Sequence, residues 1–228
     1  MFRIRFYREP FKVAESLRAK KKKQNKEILP SSIMRTRSVL SDLCLCNNFE
    51  WFITLTFSPH KVTYRDNLLR CKMALTSWLN HQRYNHSPNM KYIAVPELHK
   101  DGAVHFHVLM SDFNGAMRAS GVKNKNGRDI YNISYWNRDY GFSTAVRIDN
   151  IEAVSAYVRK YITKDMIMLP GQKRYFCSIN LIRPIKYQNV NVPSSELLDV
   201  APVYEDMDSE TFELEKSALL CMAIQCDI

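Results

Sequence analysis

Two histidines, His105 and His107, flank Phe106 in the stretch Val95-Pro-Glu-Leu-His-Lys-Asp-Gly-Ala-Val-His-Phe-His-Val-Leu-Met110. On a strand, residues two apart leave the same face, so the pair offers two imidazoles together as metal ligands. Phe106 then faces the other way, into a core. An ion held there needs at least one more ligand, and Glu97 is the nearest carboxylate. Loop length decides whether it can serve. A three-residue loop of Lys100-Asp101-Gly102, with Gly102 in the left-handed conformation, sets Glu97 opposite His105 on the same face. A two-residue Asp-Gly loop sets it opposite Phe106 instead. A Glu-His-His site therefore predicts the three-residue loop. Taken alone, the same residues also describe an ordinary hairpin with exposed histidines on its polar face. His99 lies beyond the end of the ligand strand and reads as a surface or nucleic-acid contact.

A second group lies some fifty residues on, in Ala156-Tyr157-Val-Arg-Lys160-Tyr161-Ile-Thr-Lys164-Asp165. On a helix Tyr157 and Tyr161 stack on one side, as do Lys160 and Lys164, and the two rows are neighbours. A tyrosine attacks a phosphodiester when its oxygen is shifted toward phenolate and the phosphate is polarised. Nearby lysine favours the first and a divalent ion the second. The bland alternative is one core tyrosine beside a row of snorkelling lysines.

The elements that must hold these groups can be read from hydrophobic pattern. Residues 49–57, Phe-Glu-Trp-Phe-Ile-Thr-Leu-Thr-Phe, carry the strongest strand signal and end at Ser58-Pro59. Residues 65–84 place Leu68, Leu69, Met73, Leu75, Trp78 and Leu79 at helical spacings. The hairpin of residues 90–110 follows, then a polar stretch, 113–129, expected as an exposed loop. Residues 143–148 read as a strand. Asp149-Asn150 offer an N-cap for a helix over residues 151–166. Residues 1–8 suggest a short strand, 12–26 a helix or basic arm ending in Lys20-Lys-Lys-Lys23, 33–45 a short helix, 174–182 a further strand and 213–224 a short helix. This order predicts an α+β fold, an antiparallel central sheet flanked by helices.

The 228 residues carry a formal charge of +10, unevenly spread. Nine acids and one lysine lie from Pro193 onward, leaving 32 basic against 14 acidic residues before it. We therefore divide the chain into a basic N-terminal extension (1–48), a central domain (49–192) and an acidic C-terminal tail (193–228). Lysine and arginine interleaved with aromatics suit a polyanion whose unpaired bases can stack. No apolar run approaches membrane-spanning length, and Phe2-Arg-Ile-Arg-Phe-Tyr-Arg8 alternates where a signal peptide would be apolar. The expectation is a soluble cytoplasmic protein with no membrane partner. The six cysteines fit no zinc-site spacing and are expected to be reduced packing thiols.

Together the segments resemble the HUH superfamily of single-strand DNA endonucleases, specifically the rolling-circle replication initiators of small single-stranded DNA viruses, phages and plasmids. Phe52-Ile-Thr-Leu-Thr-Phe57 is similar to the first family motif, a core strand near the DNA site. Glu97 to His107 is similar to the second, the metal-binding histidine pair with an upstream acid. Tyr157 to Lys164 is similar to the third, the nucleophile motif. The resemblance covers roughly residues 51–165. It implies an HUH endonuclease fold of the ferredoxin or RRM-like kind, with Glu97, His105 and His107 holding Mn²⁺ or Mg²⁺. Tyr161 would be the principal nucleophile, Tyr157 a second nucleophile or a structural neighbour, and Lys164 and Lys160 would steady the phosphate. The partner would be single-stranded DNA at a replication origin. No Gly-x-x-x-x-Gly-Lys loop is present, so unwinding would fall to a separate helicase. An HUH transposase or relaxase, or a basic nucleic-acid-binding regulator that does not cut, are the competing readings.

Overall fold

The computed structural model describes residues 30–163 and 166–184, together with the strand segments 2–7, 204–205 and 209–214. The chain divides into two units, Lys26–Ile185 and the pairing of Met1–Asn25 with Lys186–Ile228. In chain order the elements are β1 (Phe2–Tyr7), α1 (Pro30–Cys46), β2 (Trp51–Phe57), α2 (Leu68–Asn85), β3 (Lys91–Leu98), β4 (Val104–Ser111), β5 (Met117–Lys123) and β6 (Asp129–Ile133). Then follow α3 (Ser134–Asp139), β7 (Gly141–Arg147), α4 (Ile151–Arg159), β8 (Phe176–Cys177), β9 (Tyr204–Glu205) and β10 (Ser209–Leu214).

The larger unit is built on a seven-stranded sheet in the order β5-β6-β7-β2-β4-β3-β8. Every pairing in it is antiparallel. The expected α+β architecture, an antiparallel sheet flanked by helices, is thus the observed one. Strand β2 lies at its centre because its β-branched and aromatic residues suit a sheet covered on both sides. Its odd-numbered positions, Trp51, Ile53, Leu55 and Phe57, join Phe106, Val108 and Met110 of β4 in one apolar cluster with Cys71, Leu75, Trp78 and Leu79 of α2. Full burial of each large side chain is worth ~1.5–3 kcal/mol, so this layer is a main source of stability.

Helix α2 starts where Asn67 Oδ1 accepts the Arg70 backbone N–H at 3.1 Å. Its buried stripe runs through Leu68, Cys71, Ala74, Leu75, Trp78, Leu79 and Gln82. Two residues expected to share that face, Leu69 and Met73, are exposed instead. The small residues Cys71 and Ala74 take the sheet-facing positions because the helix lies close to the strands.

On the opposite sheet face, Ile93, Val95, Leu109 and Phe52 pack with Leu40, Leu43 and Cys44 of α1, with Val158 of α4 and with Ile162. These helices cover only the apolar end of that face. The register continues it into Thr54, Thr56, His105, His107 and Glu97, which are polar.

Three expectations are corrected. Part of the stretch 113–129, expected as a loop, forms strand β5, paired with β6. It lacks an apolar alternation because it is the sheet's edge strand and no residue of it is buried. A register irregularity falls between Ala119 and Lys123, around the positive-φ Gly121. Helix α4 ends at Arg159, well before residue 166. Its last turn tightens to three-residue hydrogen bonds, from Lys160 N–H to Tyr157 C=O and from Tyr161 N–H to Val158 C=O. Arg37 of α1 then donates through Nε to the Ile162 carbonyl at 2.9 Å, a partner that no local pattern reveals. Finally, the strand expected over 174–182 is the two-residue β8, because it lies at the sheet's edge and only Ile93 and Ala94 pair with it.

In the smaller unit, β1 pairs antiparallel with β10, from Phe2 opposite Leu214 to Tyr7 opposite Ser209, and β10 pairs with β9. Two strands therefore lie within the acidic segment after Pro193. The start of the helix expected over 213–224 falls in β10. Its remainder, and the expected basic arm of 12–26, lie outside the described residues. Among the described residues no helix is long and apolar enough to cross a membrane. Cys44, Cys46, Cys71 and Cys177 are free thiols, while Cys221 and Cys226 lie outside the described residues.

Candidate functional site

The β3–β4 hairpin adopts the three-residue loop. His99 N–H donates to the Ala103 carbonyl at 2.8 Å, closing Lys100-Asp101-Gly102, and Gly102 has φ +84°. Glu97 is consequently paired with His105, and Pro96 with Phe106. Asp101 ties the loop down. Its carboxylate accepts from the Ala103 backbone N–H at 3.1 Å and from Arg65 at 2.6 Å, and its other contact is His99 Nδ1 at 3.0 Å. The Arg65 guanidinium, first among these contacts, holds the Asp101 carboxyl well below the usual carboxylate range.

The hairpin thus brings Glu97, His105 and His107 to one sheet face. Glu97 Oε2 lies 2.6 Å from His107 Nε2. His107 is only 6% exposed, whereas the Glu97 side chain is 40% exposed. Such a short contact would favour imidazolium, yet burial outweighs the carboxylate and holds His107 below the ordinary histidine value. His105 is shifted the same way, by burial first and then by the neighbouring His99 and His107. Both rings are therefore neutral at pH 7, the form in which imidazole binds a metal.

Two threonines behind the rings gain a role that the sequence pattern does not assign them. Thr54 Oγ1 lies 3.4 Å from His107 Nδ1, and Thr56 Oγ1 lies 3.3 Å from His105 Nδ1. Each threonine sits opposite its histidine in the β2–β4 register. The signal is present as Thr-x-Thr on one strand and His-x-His on another, but only the pairing shows that they meet. A hydroxyl can donate or accept, so it serves either imidazole tautomer and leaves Nε2 free for another partner.

The chemistry of this donor set fits a divalent cation: two neutral imidazoles, a facing carboxylate and a hydroxyl behind each ring. In the present arrangement Glu97 is engaged with His107, and the His105 ring stacks on His99 at 4.9 Å. Among the described residues no three His, Cys, Asp or Glu side chains are gathered to grip an ion as they stand. Binding would exchange the Glu97–His107 hydrogen bond for two bonds to the ion.

Tyr161 lies directly on this cluster. Its ring stacks on His107 with centroids 3.9 Å apart and planes at 12°. Its hydroxyl donates to Tyr157 Oη at 2.7 Å. Tyr157 stands edge-on to Tyr161 and to Phe52, and Lys160 Nζ lies 5.6 Å over the Tyr157 ring. The placement follows from the early end of α4. Ile162 is fully buried and, with Arg37 on its carbonyl, pins the backbone so that Tyr161 falls over the sheet. Burial, then Tyr157, then the Glu97 carboxylate push the Tyr161 phenol far above its ordinary value, so in this arrangement it is protonated. Of the expected site residues, Glu97, His107, Tyr161 and Tyr157 are linked by direct contact, His105 is beside them on the same strand, and Lys160 reaches only Tyr157. Lys164 lies outside the described residues.

An antiparallel α+β sheet that gathers histidines, a glutamate and tyrosines on one face defines a protein with a polar site suited to chemistry. The family model of replication-associated protein ORF2 matches residues 50–166, just over half of the chain, and the chain belongs to that family. The match spans β2 through the tyrosine segment and so contains every residue of the cluster just described. It supports a role in the initiation of replication. No curated protein and no solved structure matches the chain.

Proposed function

We propose that the chain is an HUH-type replication initiator that nicks single-stranded origin DNA through Tyr161 and later rejoins it. The observation that carries this reading is the stack of Tyr161 on His107, which sets a phenol against the Glu97–His105–His107 donor set. A divalent ion held by those three residues, Mn²⁺ or Mg²⁺ for a mixed oxygen and imidazole set, would withdraw charge from the scissile phosphate. Tyr161 Oη attacks the phosphorus as the bond to the 3′ oxygen breaks. The phenol proton leaves along the hydrogen bond to Tyr157 Oη and on to solvent, and the departing 3′ oxygen takes up a proton. The products are a 3′-hydroxyl and a 5′-phosphotyrosine.

The phosphotyrosine bond retains the energy of the original diester, so attack by a 3′-hydroxyl restores the strand without ATP. Tyr157 acts either as a second nucleophile or as the hydrogen-bond acceptor for the first. Lys160, and Lys164 from the same motif, steady the phosphate. Thr54 and Thr56 orient the imidazoles. The reading implies single-stranded origin DNA as substrate and a separate helicase for unwinding, with no membrane component.

The test is incubation of the full chain with a randomised single-stranded DNA library and Mn²⁺, followed by denaturing electrophoresis. A denaturation-resistant protein–DNA adduct is expected, abolished by Tyr161→Phe and by chelator. No adduct from wild-type protein at any library sequence overturns the endonuclease reading.

A further inference from the structure

The register puts one more side chain in line with the site. Across β3, β4, β2 and β7 a single row runs Glu97, His105, Thr56, Phe142, each directly opposite the next and so on one sheet face. The adjacent row carries His107, Thr54 and Thr144. Phe142 is 65% exposed, while its strand neighbours Gly141 and Ser143 are buried. Helices α1 and α4 cover the other end of this face, through Phe52 and Leu109, and leave Phe142 bare.

The position of Phe142 is also built. A Cβ at Gly141 would run into the Thr56 carbonyl oxygen, so glycine there lets β7 close against the end of β2 and sets Phe142 opposite Thr56. Two strand spacings separate Phe142 from His105, about 10 Å across the sheet, or roughly two nucleotides of an extended strand.

We propose that Phe142 is a stacking platform for a base of single-stranded DNA next to the scissile phosphate, making it a positioning residue on the substrate side of the site. This rests on the single-strand reading of the substrate given above. A bare aromatic ring on a strongly basic chain, continuous with a phosphate-directed site, suits a strand that is both anionic and unpaired. Base–aromatic stacking tolerates any base, so Phe142 contributes affinity and alignment without sequence choice.

The experiment measures affinity of the full chain, in chelator, for an oligo-dT strand and for an abasic deoxyribose-phosphate strand of equal length. Phe142→Ala is expected to weaken oligo-dT binding by about ten- to a hundredfold and leave the abasic strand unchanged. Phe142→Trp should keep oligo-dT affinity, with indole fluorescence quenched on binding. In the adduct assay, Phe142→Ala should raise the DNA concentration for half-maximal rate and leave the saturated rate unchanged. Equal loss on both strands, or no loss on oligo-dT, overturns the platform. If wild type forms the adduct and Phe142→Ala binds oligo-dT normally, the platform alone fails. If oligo-dT binding depends on Phe142 and no adduct forms, the endonuclease reading alone fails. Wild-type protein that binds neither strand overturns both.

Discussion

Gly102 offers a direct test of how the hairpin fixes the site. It has φ +84°, and a Cβ built on it meets nothing within 4 Å. Substitution by alanine therefore costs backbone strain alone. The left-handed conformation costs an L-residue about 1–2 kcal/mol. The more restricted unfolded chain of the alanine variant offsets roughly 0.4–1 kcal/mol of that. The expected net loss is about 1 kcal/mol, which for a domain of this size lowers Tm by about 2–4 °C. Asparagine, which tolerates the left-handed region, should fall between glycine and alanine. Thermal unfolding followed by circular dichroism measures all three. An alanine variant as stable as wild type, or asparagine worse than alanine, would refute the assignment of Gly102 as the residue that closes a three-residue loop. Manganese affinity should be untouched by Gly102→Ala, because eight paired residues on each strand, from Lys91–Ser111 to Leu98–Val104, hold the register. Deleting Lys100 is different in kind. It can form a two-residue loop only by setting Glu97 opposite Phe106, which turns every residue of β3 to the wrong face.

The remaining predictions address the site and its supports. Replacing Thr54 and Thr56 together by valine removes the hydroxyl behind each imidazole and should weaken Mn²⁺ binding about 10–100-fold, as read from the electron-spin signal of free ion; unchanged binding would mean that the threonines play no orienting part. Ile162→Ala empties a fully buried position and should cost about 2–5 kcal/mol in urea unfolding, with greater exposure of Tyr161 to nitration; a loss below about 1 kcal/mol would show that Ile162 does not pin the tyrosine. Burial pushes the Cys44 and Cys71 thiols from 9.0 up to about 12. Since the folded state disfavours their thiolates, the stability they support is full below pH 9 and is lost as pH rises toward 12. The Cys44→Ala/Cys71→Ala variant should therefore show a shallower decline of stability over that window than wild type, and an identical slope would contradict the burial argument.

Much of this arrangement is legible in residue order alone. Alternation around Phe106 and the strand signal over 49–57 identify two core strands, and the Asp-Gly turn with a carboxylate just before it requires one particular loop. These are short-range features, in which backbone sterics and side-chain period act within a few residues. The edge strand β5 is illegible for the opposite reason: a strand with no buried residue carries no hydrophobic period and is held by hydrogen bonds to a neighbour. The pattern of α4 predicts too long a helix because it continues past Arg159, and what stops it is Arg37, more than a hundred residues away.

The sequence by itself determined which groups were available: two histidines on one strand face, a glutamate across the turn, and two tyrosines four residues apart. It also determined the hairpin that joins the first three, since the loop is a local choice. Only the tertiary structure decided that Thr54 and Thr56 stand behind the imidazoles, that Tyr161 lies on His107, and that Phe142 extends the row. Those relations depend on strand order and register between segments distant in the chain, set by burial of both sheet faces against helices. The pattern of one segment holds no record of which other segment will lie beside it.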